Sequence, residues 1–115
     1  MKGFVLDKAT ILERLGGDEE IFAIMADMYL HDVDNYCREV GEALAAADAR
    51  LLEREAHTIK GMLATFADDV GADMAAVVER QAKTGQLDNL AAAVAAVEDR
   101  LRLVADAVRA VVAVG

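Results

Sequence analysis

Residues 90–111 read LAAAVAAVEDRLRLVADAVRAV, and the placing of their large apolar side chains decides the fold class. Leu90, Val94, Val97, Leu101, Val104, Val108 and Val111 recur at spacings of 4, 3, 4, 3, 4 and 3, the period of one face of an α-helix. A half-buried strand would alternate every second residue, and this stretch does not. Asp88 is read as its cap, and the alanines from 91 to 96 fill the helix at no cost in side-chain entropy.

Working toward the N-terminus, the same period returns three times. Val70, Met74, Val77, Val78 and Gln81 suggest a shorter helix that Gly85 ends, after a turn at Ala67-Asp68-Asp69. Leu52, Ala56, Ile59, Leu63 and Phe66 follow a cap at Asp48. Phe22, Met25, Tyr29, Val33, Tyr36, Val40 and Leu44 follow a cap at Asp18, with Glu19 and Glu20 where carboxylates meet the positive end of the helix dipole. A short helix from Asp7 to Leu15, closed by Gly16-Gly17, precedes them. Four long helices with one apolar stripe each predict an all-α protein, an antiparallel up-down four-helix bundle with a short additional N-terminal helix.

Composition agrees. The 115 residues include 24 alanines and no proline, and this length suits a single domain, residues 1–115. A net charge of −9 argues against nucleic acid and anionic membrane partners, whose binding draws on clustered cations. The lone Cys37 cannot form an internal disulfide, and no Cys/His spacing suggests a zinc site. The start reaches Asp7 after three apolar residues, too short for a signal-peptide core, so a soluble cytoplasmic location is expected.

Only two histidines are present. At 100° per residue, His57 lies about 160° round its helix from the stripe residue Ile59, with Lys60 at about 100° and Gly61 at about 200°. The imidazole therefore points to solvent. Gly61 costs an exposed helix up to ~1 kcal/mol but leaves space beside the ring, and Lys60 puts a cation near anything attached to it. A phosphoryl group, with about two negative charges, fits those needs. A neutral imidazole is a competent nucleophile for it, although a solvated bystander is an equal reading of these three residues alone.

Ala56-His57-Thr58-Ile59-Lys60-Gly61 resembles the H-x-(L/I)-K-G signature of histidine phosphotransfer (HPt) domains. Leu15-Gly16-Gly17-Asp18-Glu19-Glu20, the alanines approaching Ala49, Glu79 and Gly85-x-Leu87 resemble other segments of that family, so that the likeness covers residues 11–110. The resemblance implies a phosphorelay intermediate that takes a phosphoryl group from a receiver domain's aspartyl phosphate and hands it to another receiver. It makes His57 the phosphoacceptor, Lys60 the charge partner of the phosphoryl group and Gly61 the clearance residue. It further implies a carrier rather than an enzyme with ATP-dependent kinase activity, and Mg²⁺ supplied by the partner receiver, with no cofactor or metal of its own. Where the family often has small or hydroxylated residues after the glycine and a further glycine near the helix end, this chain has Met62, Leu63 and Ala67.

His31 is the competing acceptor, but Asp27, Asp32 and Asp34 surround it and would repel a phosphoryl group. Tyr29, Tyr36, Met25 and Met74 read as core, and Cys37 as a buried inert thiol. Residues 50–60 carry a local charge of +1, leaving −10 for the rest, so the face around His57 repels an acidic receiver least. Two rivals remain: a bundle that binds receivers or a kinase without carrying phosphate, and the dimerisation and phosphotransfer domain of a sensor kinase. Four stripes able to close one bundle within a single chain favour a monomer over the second.

Overall fold

Asp7, Asp18, Asp48 and Asp68 each turn a carboxylate onto the backbone amide three residues on, at 3.1, 3.1, 3.0 and 3.0 Å, satisfying a donor that the helix itself leaves free. Each starts a helix. The computed structural model describes residues 3–114 and contains five helices: α1 (Lys8–Arg14), α2 (Glu19–Ala45), α3 (Ala49–Thr65), α4 (Asp69–Lys83) and α5 (Ala91–Val114). Met1, Lys2 and Gly115, which belong to the start and the end of the expected domain, lie outside the described residues. Among the described residues there is no strand, and no helix is long and apolar enough to cross a membrane.

Asp88 is not the cap of α5. A turn closed by Leu90 N to Leu87 O (3.3 Å), with Asn89 left-handed at φ 67°, separates it from the helix, whose bonding begins with Val94 N to Leu90 O (2.8 Å). The expected ends of α1 hold: Gly16 and Gly17 take φ values of 70° and 81°, which glycine tolerates without a Cβ penalty.

Helices α2, α3, α4 and α5 form a ring of neighbours in which each packs on the next and α5 returns to α2, with α1 laid against α2. The stripe of α3 is buried in full, and so is that of α5 from Leu90 to Val108. Val111 is half-buried. On α2 the seam differs from the expectation: Ala26, Cys37 and Ala43 are buried, while Met25, Tyr36 and Leu44 are half-buried at its edges. On α4 only Val78 of the expected stripe is buried, together with Gly71, Ala75 and Ala82, while Val70, Val77 and Gln81 are exposed and Met74 is half-buried. The cause is common to both. A stripe read from large side chains misses faces where small ones let neighbouring helices approach.

Gly71 shows how close that approach is. A Cβ there would collide with the Asp68 carboxylate and lie 2.9 Å from Arg100 Cγ. Asp68 and Arg100 are both 2% exposed and form a two-point ion pair, Nε to Oδ2 at 2.8 Å and Nη2 to Oδ1 at 2.6 Å. The cap of α4 is thereby bound to α5, and the Arg100 guanidinium lies over the Phe4 ring at 5.5 Å. Tyr29 of α2 ties in from the other side, donating its hydroxyl to Leu101 O (2.7 Å) with its ring 5.0 Å from that of Phe66. Such a buried pair costs desolvation, which the fork geometry and the extra cap bond offset.

Candidate functional site

The phasing that buries Ala56, Ile59 and Leu63 turns the next residues outward, and the His57 side chain is 68% exposed on α3. Gly61, one turn on, is open: beyond its chain neighbours and the adjoining helix backbone, no described heavy atom lies within 4 Å of the place a Cβ would take. The Thr65 hydroxyl donates back to Gly61 O at 2.9 Å, which satisfies the hydroxyl within the helix without covering the face over Gly61.

Glu79 of α4 joins the two charged residues of the motif. Its Oε2 lies 2.8 Å from His57 Nδ1 and its Oε1 accepts from Lys60 Nζ at 2.6 Å. The side chain of Glu79 is 18% exposed against 36% for Lys60, so the carboxylate sits low between the helices and the cation above it. The hydrogen bond from Lys60, with a smaller contribution from His57, holds the Glu79 carboxyl below its ordinary range against a weaker desolvation effect. An ionised carboxylate only accepts, so Nδ1 carries the proton in this bond. In the neutral ring the lone pair is then on Nε2.

Of the residues singled out from sequence, His57 and Lys60 are brought together through Glu79, and Gly61 leaves the ring uncovered. Lys60 is not a free cation awaiting a ligand, because it is shared with Glu79 from the start. Glu79 entered the sequence reading only within the family likeness. It lies 22 and 19 residues from its partners, and its flank of α4 becomes legible only once Ala75, Val78 and Ala82 are known to be the buried side.

His31 stands exposed on α2 and makes no side-chain hydrogen bond or ion pair with the other described residues. Cys37 is 1% exposed with its thiol toward Glu98 O (3.7 Å), and burial raises its pKa, as suits an unreactive thiol. Met62 lines an apolar groove of about 190 Å³ between α2 and α3 with Met25, Met28 and Tyr36. Among the described residues no three His, Cys, Asp or Glu side chains are grouped to hold a metal ion.

A protein-family model described as Hpt domain matches residues 24–111, more than half of the chain and inclusive of His57, Lys60, Gly61 and Glu79. No curated protein sequence and no solved structure shows significant similarity to it.

Proposed function

The chain belongs to the Hpt domain family, the phosphotransfer domains of two-component signalling, and we propose that it relays a phosphoryl group between the aspartates of receiver domains through His57. The supporting observation is the exposed imidazole held by Glu79 at Nδ1. With that nitrogen protonated and bound, Nε2 attacks the phosphorus of an aspartyl phosphate. The N–P bond forms as the bond to the aspartate oxygen breaks, and the receiver's carboxylate leaves with the electron pair. No proton need be lost, because Nδ1 keeps its own. The phosphorylated ring carries a positive charge that the Glu79 carboxylate compensates. Transfer to a second receiver is the reverse step on a different carboxylate.

Lys60 screens the phosphoryl oxygens while remaining anchored at 2.6 Å to Glu79. The bare Cα of Gly61 leaves room for the receiver to bring its aspartate to within roughly 3 Å of the ring. In this reading α2 to α5 run up and down as an antiparallel four-helix bundle that acts as a rigid post for one exposed side chain. The protein is a monomeric cytoplasmic carrier without ATP chemistry of its own, and Mg²⁺ belongs to the receiver.

Incubation of the whole chain with phosphorylated receiver domains tests this. Acid-labile, base-stable phosphate on His57 is the expected result. A chain that takes no label from any receiver, or takes it on a residue other than His57, overturns the assignment.

A further inference from the structure

A cleft of about 400 Å³ opens beside the ring of His57, lined by Arg50, Glu53, Arg54, His57 and Glu79. Helical side chains lean toward the helix N-terminus, so the ring overlies the turn that carries Glu53 and Arg54. Arg50, Arg54 and His57 follow at spacings of 4 and 3 on α3, a single row about 10 Å long. Both arginines are exposed, and neither guanidinium makes a hydrogen bond or an ion pair within 4 Å with any described residue. Lys8, Arg38 and Arg109 are engaged with Glu19, Glu42 and Asp106, and although Arg80, Lys83 and Arg102 are likewise exposed and unpaired among the described residues, only Arg50 and Arg54 line the cleft beside the ring. Lys60 and Glu79 neutralise one another, so the two arginines against Glu53 leave the cleft with one net positive charge in a chain of −9.

Given His57 as a phosphoryl carrier, a reading on which this inference rests, we propose that Arg50 and Arg54 are the docking cations of the site and receive the acidic rim of a receiver's phosphorylation pocket. A partner that brings an acyl phosphate and leaves a carboxylate presents concentrated negative charge, and the rest of this chain repels it. Two guanidiniums without a bonded carboxylate, on the row that ends at the acceptor and with one net positive charge against Glu53, reverse that repulsion over the last approach, inside a screening length of about 8 Å at physiological ionic strength. They set the rate of productive encounter and the choice of partner, while Glu79 and Lys60 serve the ring itself.

The test compares the whole wild-type chain with Arg50→Gln/Arg54→Gln, and with Arg102→Gln/Arg109→Gln as a charge-matched control on α5. Transfer from a phosphorylated receiver is followed from low to high salt, and labelling of His57 by phosphoramidate, a donor with no protein surface, is measured alongside. Transfer to the α3 variant should fall about tenfold at low salt and converge on wild type near 1 M salt, while the α5 control stays within about twofold. Phosphoramidate labelling of the α3 variant should change less than twofold. Equal losses in the two double variants would reduce the effect to net charge and overturn the proposal. Equal loss with both donors would place the arginines at the phosphoryl group instead, and unchanged receiver transfer would remove them from docking; either result overturns it. If the wild-type chain is labelled by phosphoramidate but by no receiver, the phosphorelay reading fails first and this proposal with it.

Discussion

The Lys60 ammonium lies 2.6 Å from Glu79 Oε1, so the cation of the motif is positioned by another helix before any phosphoryl group arrives. Lys60→Ala removes the screening of transferred charge and leaves the nucleophile in place. Transfer should slow about tenfold at low ionic strength, equivalent to roughly 1.4 kcal/mol of transition-state stabilisation, and the loss should shrink as salt rises. Rates that match wild type at low salt would reduce Lys60 to a structural partner of Glu79.

Glu79→Gln keeps the shape of the bridge and removes its charge. The folded-state pKa of Glu79 lies below the ordinary 4.5, so its contribution to stability is fully present above that value and is lost as pH falls through the depressed range. Wild type should therefore exceed the Gln variant in stability at pH 7, by about 1 kcal/mol for a partly exposed charge-assisted pair, and the gap should close as the pH drops below about 4. Denaturant unfolding at a series of pH values measures it. A gap that does not change with pH would show that the charge contributes nothing.

His57→Gln should abolish labelling while changing stability by less than about 0.5 kcal/mol, since most of the ring is in solvent. His31→Gln should do neither. Thermal melts and phosphate incorporation on the same preparations separate the two effects.

How much of this was legible in the sequence depends on side-chain size. The α3 stripe and most of that of α5 could be read directly because Leu, Ile, Val and Phe fill them at every position but Ala56, and the exposure of His57 followed from the phase of Ile59. The α4 face could not, because Gly71, Ala75 and Ala82 contribute closeness and little hydrophobicity. The buried ion pair did leave a trace: Arg100 falls between Val97 and Leu101 on the stripe of α5, where a charge needs a partner. That its partner is Asp68, a residue that also reads as an ordinary helix cap, is a tertiary fact. The same holds for the hold of Glu79 on His57.

Two alanines stand where glycine is more comfortable. Ala47 has φ 54° and Ala67 has φ 60°, each just past a helix end, where Asp48 N returns to Ala43 O (3.0 Å) and Asp68 N to Leu63 O (2.9 Å). The left-handed conformation costs a non-glycine residue roughly 1 kcal/mol, and glycine loses part of that gain to a more flexible unfolded chain. Ala47→Gly should raise stability by about 0.5 kcal/mol, because Ala47 is exposed and surrenders no packing. Ala67→Gly should gain less, since its methyl packs against the core. A larger gain at 67 than at 47 in thermal melts would contradict this ordering.

Gly61 and Gly71 are both helical glycines, and the structure gives them opposite reasons to exist. At Gly61 an added side chain meets nothing within 4 Å, so Gly61→Ala should stabilise α3 by up to ~1 kcal/mol through helix propensity. At Gly71 an added methyl runs into the Asp68 carboxylate and the stem of Arg100, the two halves of the buried ion pair. Gly71→Ala should therefore destabilise by about 2 kcal/mol or more, as overpacking of a close-packed site does. Activity should divide the other way. Gly61→Gln, which keeps the helical gain and fills the space over His57, should melt at or above the wild-type temperature yet transfer phosphate poorly, because the receiver's aspartate can no longer close on the ring. Gly71→Ala, held below its own melting temperature, should transfer normally. A Gly61→Gln protein that transfers at the wild-type rate would remove the clearance role, and one that melts well below wild type would show that its face of α3 is covered in solution.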